Sequence, residues 1–346
     1  MRKKIQYILS LGIIGGFAAC TPETVTQTAT DAISFYVKTQ PALSEGSRAL
    51  VDDTNGLLNL RLPLYVTDNT ENSGISDKEV AYTDNGVWKS DMEWADRAYE
   101  FYAYIASPKQ TATDTQGGVT VTDNGKSVTV QQPATYTPSD DVWADFLLSY
   151  RVSAEGADKE LVRLELERVT ACVELYMAMS RNMTAVTVNR IEFRNVLTKA
   201  QYNLQYHAVP GDNDGIYGMK NIWTVTSDEN SRKTYTYSPD GGLSLTGYDS
   251  SSDKFVSGYR QMRFLTVHQS LIDGAELYIN YTTVEENNVN STYESVFRLS
   301  DYTPQSWSRG HKIRYFIGID SSIDLEGSIE PWKSVDYIET TLLPND

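Results

Sequence analysis

Glu165 and Glu167 stand two residues apart in Leu164-Glu165-Leu166-Glu167. Paired carboxylates are what a glycosidase uses, one to protonate the leaving oxygen and one to attack or to activate water. Two apart on a strand, however, they share one face while Leu164 and Leu166 take the other, which is the pattern of a solvated strand face. Asp212 and Asp214 resemble half a calcium loop, but the glycine and distal glutamate of EF-hand spacing are missing. The three histidines, His207, His268 and His311, lie far apart, and neither His-x-x-x-His nor Cys-x-x-Cys occurs. No Walker or dinucleotide glycine pattern lies beyond the first twenty residues, and there is no Gly-x-Ser-x-Gly elbow. No catalytic set, metal site or cofactor is expected. Trp88, Trp94, Tyr99, Phe101, Tyr102 and Tyr104 could be a sugar platform or, more simply, core.

The clearer chemistry is chemistry done to the chain. Arg2-Lys3-Lys4 precedes an apolar run from Ile5 to Ala19, which ends in Phe17-Ala18-Ala19-Cys20. The run is shorter than the ~20 apolar residues of a membrane-spanning helix, and two small residues before a cysteine fit a bacterial lipoprotein signal. Residues 1–19 are expected to be removed and Cys20 to carry a diacylglycerol and an amide-linked acyl chain such as palmitate. Two or more tails would hold the precursor firmly in the outer membrane. Arg48 is the lone arginine between Cys20 and Leu60, in the small-residue loop Glu45-Gly46-Ser47-Arg48-Ala49-Leu50. An arginine-specific extracellular protease would cut there most readily, between Arg48 and Ala49.

The elements that position these residues are strands. Residues 21–30 are Thr-rich and read as a tether from Cys20 at residues 20–30. Ile33, Phe35 and Val37 alternate on one face of a first strand. Further period-two runs cover Leu60 to Val66, Tyr99 to Ala106, Asp145 to Val152, Leu161 to Arg168 and Cys172 to Met177. Later ones cover Val186 to Val196, Gln201 to Tyr206, Arg263 to Val267, Glu276 to Val284, Tyr293 to Leu299 and Lys312 to Ile319. Asn124-Gly125 between two β-branched runs predicts a tight hairpin. Pro239-Asp240-Gly241-Gly242 between Tyr235-Thr236-Tyr237 and Leu243-Ser244-Leu245 predicts another.

With 40% hydrophobic and 11% aromatic residues, the chain has material for real cores. Its length suggests two domains at ~100–200 residues each. The expectation is an all-β protein of two tandem β-sandwich domains, residues 31–180 and 181–332, followed by a tail at 333–346. The formal charge of −16 argues against nucleic acid as a partner. With Cys20 lipidated, Cys172 has no partner for an intramolecular disulfide, and reads as a small core residue.

If the piece before Arg48 leaves, the sheet loses the Ile33/Phe35/Val37 strand and opens a groove that invites a replacement strand. At this point the chain resembles the Bacteroidales fimbrillins, the lipoprotein-derived (type V) pilins that build fimbriae. The resemblance rests on the Cys20 signal, Ile33-Ser34-Phe35 followed by Ser47-Arg48-Ala49, and Trp88 with Trp94 leading into Tyr99-Glu100-Phe101-Tyr102-Ala103-Tyr104. It continues through Trp143-Ala144-Asp145-Phe146-Leu147-Leu148 and Leu164-Glu165-Leu166-Glu167-Arg168-Val169-Thr170-Ala171, and ends in Gly310-His311-Lys312-Ile313-Arg314-Tyr315 and Ile329-Glu330-Pro331-Trp332.

The resemblance implies transthyretin-like, Greek-key sandwiches, surface export, cleavage after Arg48 and assembly with other fimbrial subunits, like or unlike, by donor-strand exchange. The donor would be the C-terminal segment carrying Val335, Tyr337, Ile338, Leu342 and Leu343. A host or bacterial surface receptor would be the target of adhesion. Stalk, tip and anchor roles all fit. The alternative from the residues alone is a surface glycan-binding lipoprotein that keeps its lipid.

Overall fold

The computed structural model describes residues 31–39, 63–70, 73–83, 87–122, 125, 127–139, 142–149, 152–179, 185–203, 223–224, 231–245, 259–271, 274–284, 289–319 and 323–331. Cys20, Arg48, Ala49, His207, Asp212, Asp214 and the tail with Val335, Tyr337, Ile338, Leu342 and Leu343 lie outside the described residues. The chain is all-β, and among the described residues none is α-helical.

In chain order the first strands are β1 (Ala32–Thr39), β2 (Leu64–Asp68), β3 (Lys78–Tyr82), β4 (Val87–Glu93), β5 (Ala98–Ser107), β6 (Gly118–Thr122), β7 (Ser127–Gln131), β8 (Asp145–Ser149), β9 (Val152–Glu155) and β10 (Val162–Arg168). Next come β11 (Thr170–Met179), β12 (Ala185–Leu197), β13 (Lys199–Asn203), β14 (Trp223–Thr224), β15 (Arg232–Tyr237), β16 (Leu243–Ser244) and β17 (Tyr259–Val267). The last are β18 (Gln269–Ser270), β19 (Glu276–Val284), β20 (Asn290–Arg298), β21 (Ser306–Trp307), β22 (His311–Ile319) and β23 (Ile323–Pro331).

The first sheet runs β2-β3-β4-β1-β10-β8-β5, and β5 pairs back onto β2, so these strands close into a ring, with β9 added along β5. Inside it lie Ile33, Phe35, Val37, Leu64, Val66, Trp88, Phe101, Leu147, Leu164 and Leu166. β5 shows why the alternation is legible there. Tyr99, Phe101, Ala103 and Ile105 face that core, while Tyr102, Tyr104 and Ala106 face a second one beneath the sheet β14-β13-β7-β6. The last core lies between the sheets β17-β11-β22-β23 and β15-β12-β19-β20 and holds Val173, Leu175, Ile191, Phe193, Phe264, Ile279 and Tyr315.

Pairing changes partner at Val169. β11 joins β17 antiparallel and β22 in parallel, because its inward Val173 and Leu175 complete the later core. In the other direction β13 pairs with β7, placing Ala200 and Tyr202 against Tyr104 and Phe146. The seam between these parts is an ion pair at the end of β10. Arg168 Nη2 sits 2.8 Å from Asp145 Oδ2, and Thr170 Oγ1 donates to Asp145 Oδ1 at 2.6 Å.

The second expected hairpin does not form. β15 and β16 both pair antiparallel with β12, Tyr237 opposite Ile191 and Leu243 opposite Val188, so Pro239 to Gly242 bulges from one interrupted edge. The β6–β7 hairpin does form. Gly125 at its tip has φ +85°, and a Cβ there would lie 2.4 Å from Thr67 Oγ1 and 3.0 Å from the Asp77 amide nitrogen. The Asp77 N–H donates to that same Thr67 hydroxyl at 3.0 Å, so the tip is docked on β2 and cannot move aside freely. Gly125→Ala is expected to cost about 1–3 kcal/mol through backbone strain and lost docking. A lowered urea midpoint with an unchanged slope would show it.

Candidate functional site: a central strand held by one link

β1 lies in the interior of the ring. It pairs antiparallel with β4, Phe35 opposite Trp88, and in parallel with β10, Phe35 opposite Val162 and Val37 opposite Leu164. Both of its hydrogen-bonding edges are in use, and its loss would leave one edge bare on β4 and one on β10. Ile33, Phe35 and Val37 are wholly buried. Phe35 meets Phe101 edge-on at 5.3 Å and 90°.

Polar contacts fix the start of the strand. Ser90 Oγ donates to the Ile33 carbonyl at 2.6 Å, and the Trp94 N–H donates to the Asp31 carbonyl at 2.8 Å. Lys159 donates to the Asp31 carboxylate. That hydrogen bond, with the lysine charge, holds the Asp31 carboxyl below the usual range. Asp31 is solvent-exposed, so this pair orients the strand end more than it stabilises it. No local pattern marks Lys159, which lies 128 residues away along the chain.

The covalent attachment of β1 to the later strands runs through residues 40–62 alone, a stretch that contains Arg48 and Arg61. One backbone cut there leaves β1 held by non-covalent contacts. Apolar burial of Ile33, Phe35 and Val37 at ~1.5–3 kcal/mol each stabilises the seated strand by roughly 5–9 kcal/mol.

The other sequence candidates resolve differently. Trp88, Tyr99, Phe101, Tyr102 and Tyr104 are core, and half-buried Trp94 packs edge-on against Tyr99 at 5.0 Å, so this cluster offers no open sugar platform. Glu165 is exposed, but Glu167 is buried at the β8 pairing, against the expectation of a solvated pair. Cys172 is buried, and burial pushes its thiol up to about 11. Burial, then the charge of Arg309, lowers the His268 pKa. Among the described residues no three His, Cys, Asp or Glu side chains are grouped so as to hold a metal ion.

A fimbrial protein from Bacteroides vulgatus is 13% identical, with TM-score 0.50 over 86% of this chain and 99% of that one. A provisionally assigned cell adhesion protein from Bacteroides uniformis is also 13% identical, with TM-score 0.47 over 88% of this chain and 100% of that one. A fimbrial assembly protein from Parabacteroides distasonis is 10% identical, with TM-score 0.36 over 87% and 96%. No curated protein matches the chain. The family described as fimbrillin-like matches residues 48–332, most of the length, and on that match this chain belongs to the fimbrillin-like family.

Proposed function

We propose that this chain is a fimbrial subunit, of the stalk or tip, that is exported as a lipoprotein on Cys20 and matured by cleavage between Arg48 and Ala49. Removal of β1 opens the ring, and a strand from another subunit takes its place. The observation that carries the reading is the position of β1: central in its sheet, wholly buried at Ile33, Phe35 and Val37, and tied covalently through one link. An edge strand would leave no slot when cut away. The family match supports it too, since its span of 48–332 begins at the proposed cut and leaves out β1.

The incoming strand needs alternate apolar side chains at strand spacing to fill the pockets of Ile33, Phe35 and Val37. The tail segment with Val335, Tyr337, Ile338, Leu342 and Leu343 supplies them and is the proposed donor. Subunits joined in this way need no cofactor. Adhesion at the cell surface follows from the assembled fibre.

An arginine-specific protease tests this on the purified precursor. Loss of the mass up to Arg48 together with a ladder of multimers is expected, and Arg48→Ala is expected to stay intact and unassembled. Arg61 lies in the same link, so mass measurement identifies the bond cut. Cleavage at Arg48 that leaves only monomers with β1 still bound would refute strand replacement.

A further inference from the structure

Among the described residues, the large apolar side chains left exposed are Val289 at 50%, Tyr293 at 43% and Val296 at 53%. All three lie on β20 or immediately before it. Among the described residues β20 is a sheet edge, and its nine register pairs with β19 run from Asn290 to Arg298 without a bulge. Natural edges are guarded by proline, lysine, bulges or like charges. β20 has no proline, no lysine and no bulge, and its two charges, Glu294 and Arg298, are opposite in sign.

Those charges select an occupant. Val296, Glu294 and Arg298 share one face of β20, the face of Tyr278 and Asn280 on β19, and the Tyr278 hydroxyl donates to Glu294 at 2.8 Å. An antiparallel copy of β20 with Val296 opposite Val296 sets Glu294 opposite the copy's Arg298, and Arg298 opposite the copy's Glu294. A register shifted by four residues, with Glu294 opposite Glu294, opposes like charges and is disfavoured. We infer that β20 is a docking edge for a second copy of this chain, the strands pairing antiparallel about Val296 and merging two five-stranded sheets across a two-fold axis. The contact is isologous and closes at two copies. It uses neither β1 nor the tail, so it would join subunits sideways.

The test uses the full chain carrying Arg48→Ala, so that strand replacement cannot contribute to association. Analytical ultracentrifugation is expected to show a monomer–dimer equilibrium. Glu294→Arg is expected to weaken it about tenfold by opposing like charges at both ends, and Glu294→Arg with Arg298→Glu is expected to restore it. Val296→Cys is expected to give a disulfide-linked dimer on mild oxidation. Cys172 does not compete because it is buried, and Cys20→Ser in the same chain removes the other thiol. Monomer at every concentration, a dimer indifferent to Glu294→Arg, or no cross-link through residue 296 would each overturn the inference.

Discussion

Phe35→Ala lowers the stability of the uncut chain by about 3–5 kcal/mol and leaves the product of cleavage at Arg48 unchanged. The first half follows from packing. Phe35 is at 0% exposure, stands opposite Trp88 and Val162 across its two neighbours, and meets Phe101 edge-on. Truncation leaves a cavity walled by strands on both sides, which are fixed by their own pairing and collapse poorly into it. The second half follows from topology. If cleavage releases β1, residue 35 is no longer in the molecule and its identity no longer matters. Phe101→Ala provides the contrast, because β5 remains after the cut and this substitution weakens both forms. Denaturant unfolding of cut and uncut chains, each with wild-type, Phe35→Ala and Phe101→Ala sequences, separates the two effects. Equal destabilisation of both forms by Phe35→Ala would mean that β1 stays seated after the link is broken.

The same numbers bear on assembly. The roughly 5–9 kcal/mol that β1 contributes through apolar burial is comparable with the whole net stability of a typical domain, about 5–15 kcal/mol. A body without β1 is therefore weakened in its ring core unless another strand fills the slot. On the proposed reading, cleavage and strand capture are coupled for this reason. A cut chain with no donor available should be loosened in the ring core while the later core between β11 and β12 is left alone.

Much of the fold was legible in residues that alternate against one core. Ile33, Phe35 and Val37 needed no more than period two, and Tyr99 to Ala106 was legible for the same reason, although both its faces are buried. What the local pattern lacks is the identity of the partner. Pro239-Asp240-Gly241-Gly242 reads as a reversal, yet Tyr235–Tyr237 and Leu243 each pair with β12, which the turn residues do not encode. Glu167 alternates as if solvated, but it lies where β10 meets β8, and burial there is set by the ring closing rather than by its neighbours in sequence. β10 and β11 are separated by one residue and continue the same rhythm while changing sheets, a change that the local pattern does not encode. For the site, the strand was readable in advance, whereas Arg48 lies outside the described residues. Ser90 and Lys159, which hold the strand's start, were not readable, since only the folded ring brings them to it.

Glu174→Gln is expected to destabilise the chain by about 3–5 kcal/mol and to flatten the acid limb of its stability profile. Glu174 stands in a cross-strand row, opposite Arg263 on β17 and Arg314 on β22, so each neighbouring strand brings it a guanidinium. Arg314 Nε lies 3.1 Å from Oε2, and Arg260 Nη1 and Arg263 Nε lie 3.3 and 3.7 Å from Oε1. The Glu174 side chain is 3% exposed and that of Arg263 9%, so these charges are poorly screened, whereas Arg260, at 36%, adds less. Burial alone would raise the Glu174 pKa, but Lys312, Arg314 and Arg263 outweigh it and hold the carboxyl below its ordinary 4.5. A depressed carboxylate contributes stability that is present above the unfolded value and is lost as pH falls through the folded one. Stability of the wild type should therefore drop below about pH 4.5 more steeply than that of Glu174→Gln, which has no proton to gain there. The amide keeps the size of the side chain and removes the charge, leaving a cluster of cations around a neutral group. Urea midpoints measured from neutral pH down to pH 3 would show both effects. Parallel acid limbs in the two proteins would mean that Glu174 is not the group whose ionisation holds these strands together.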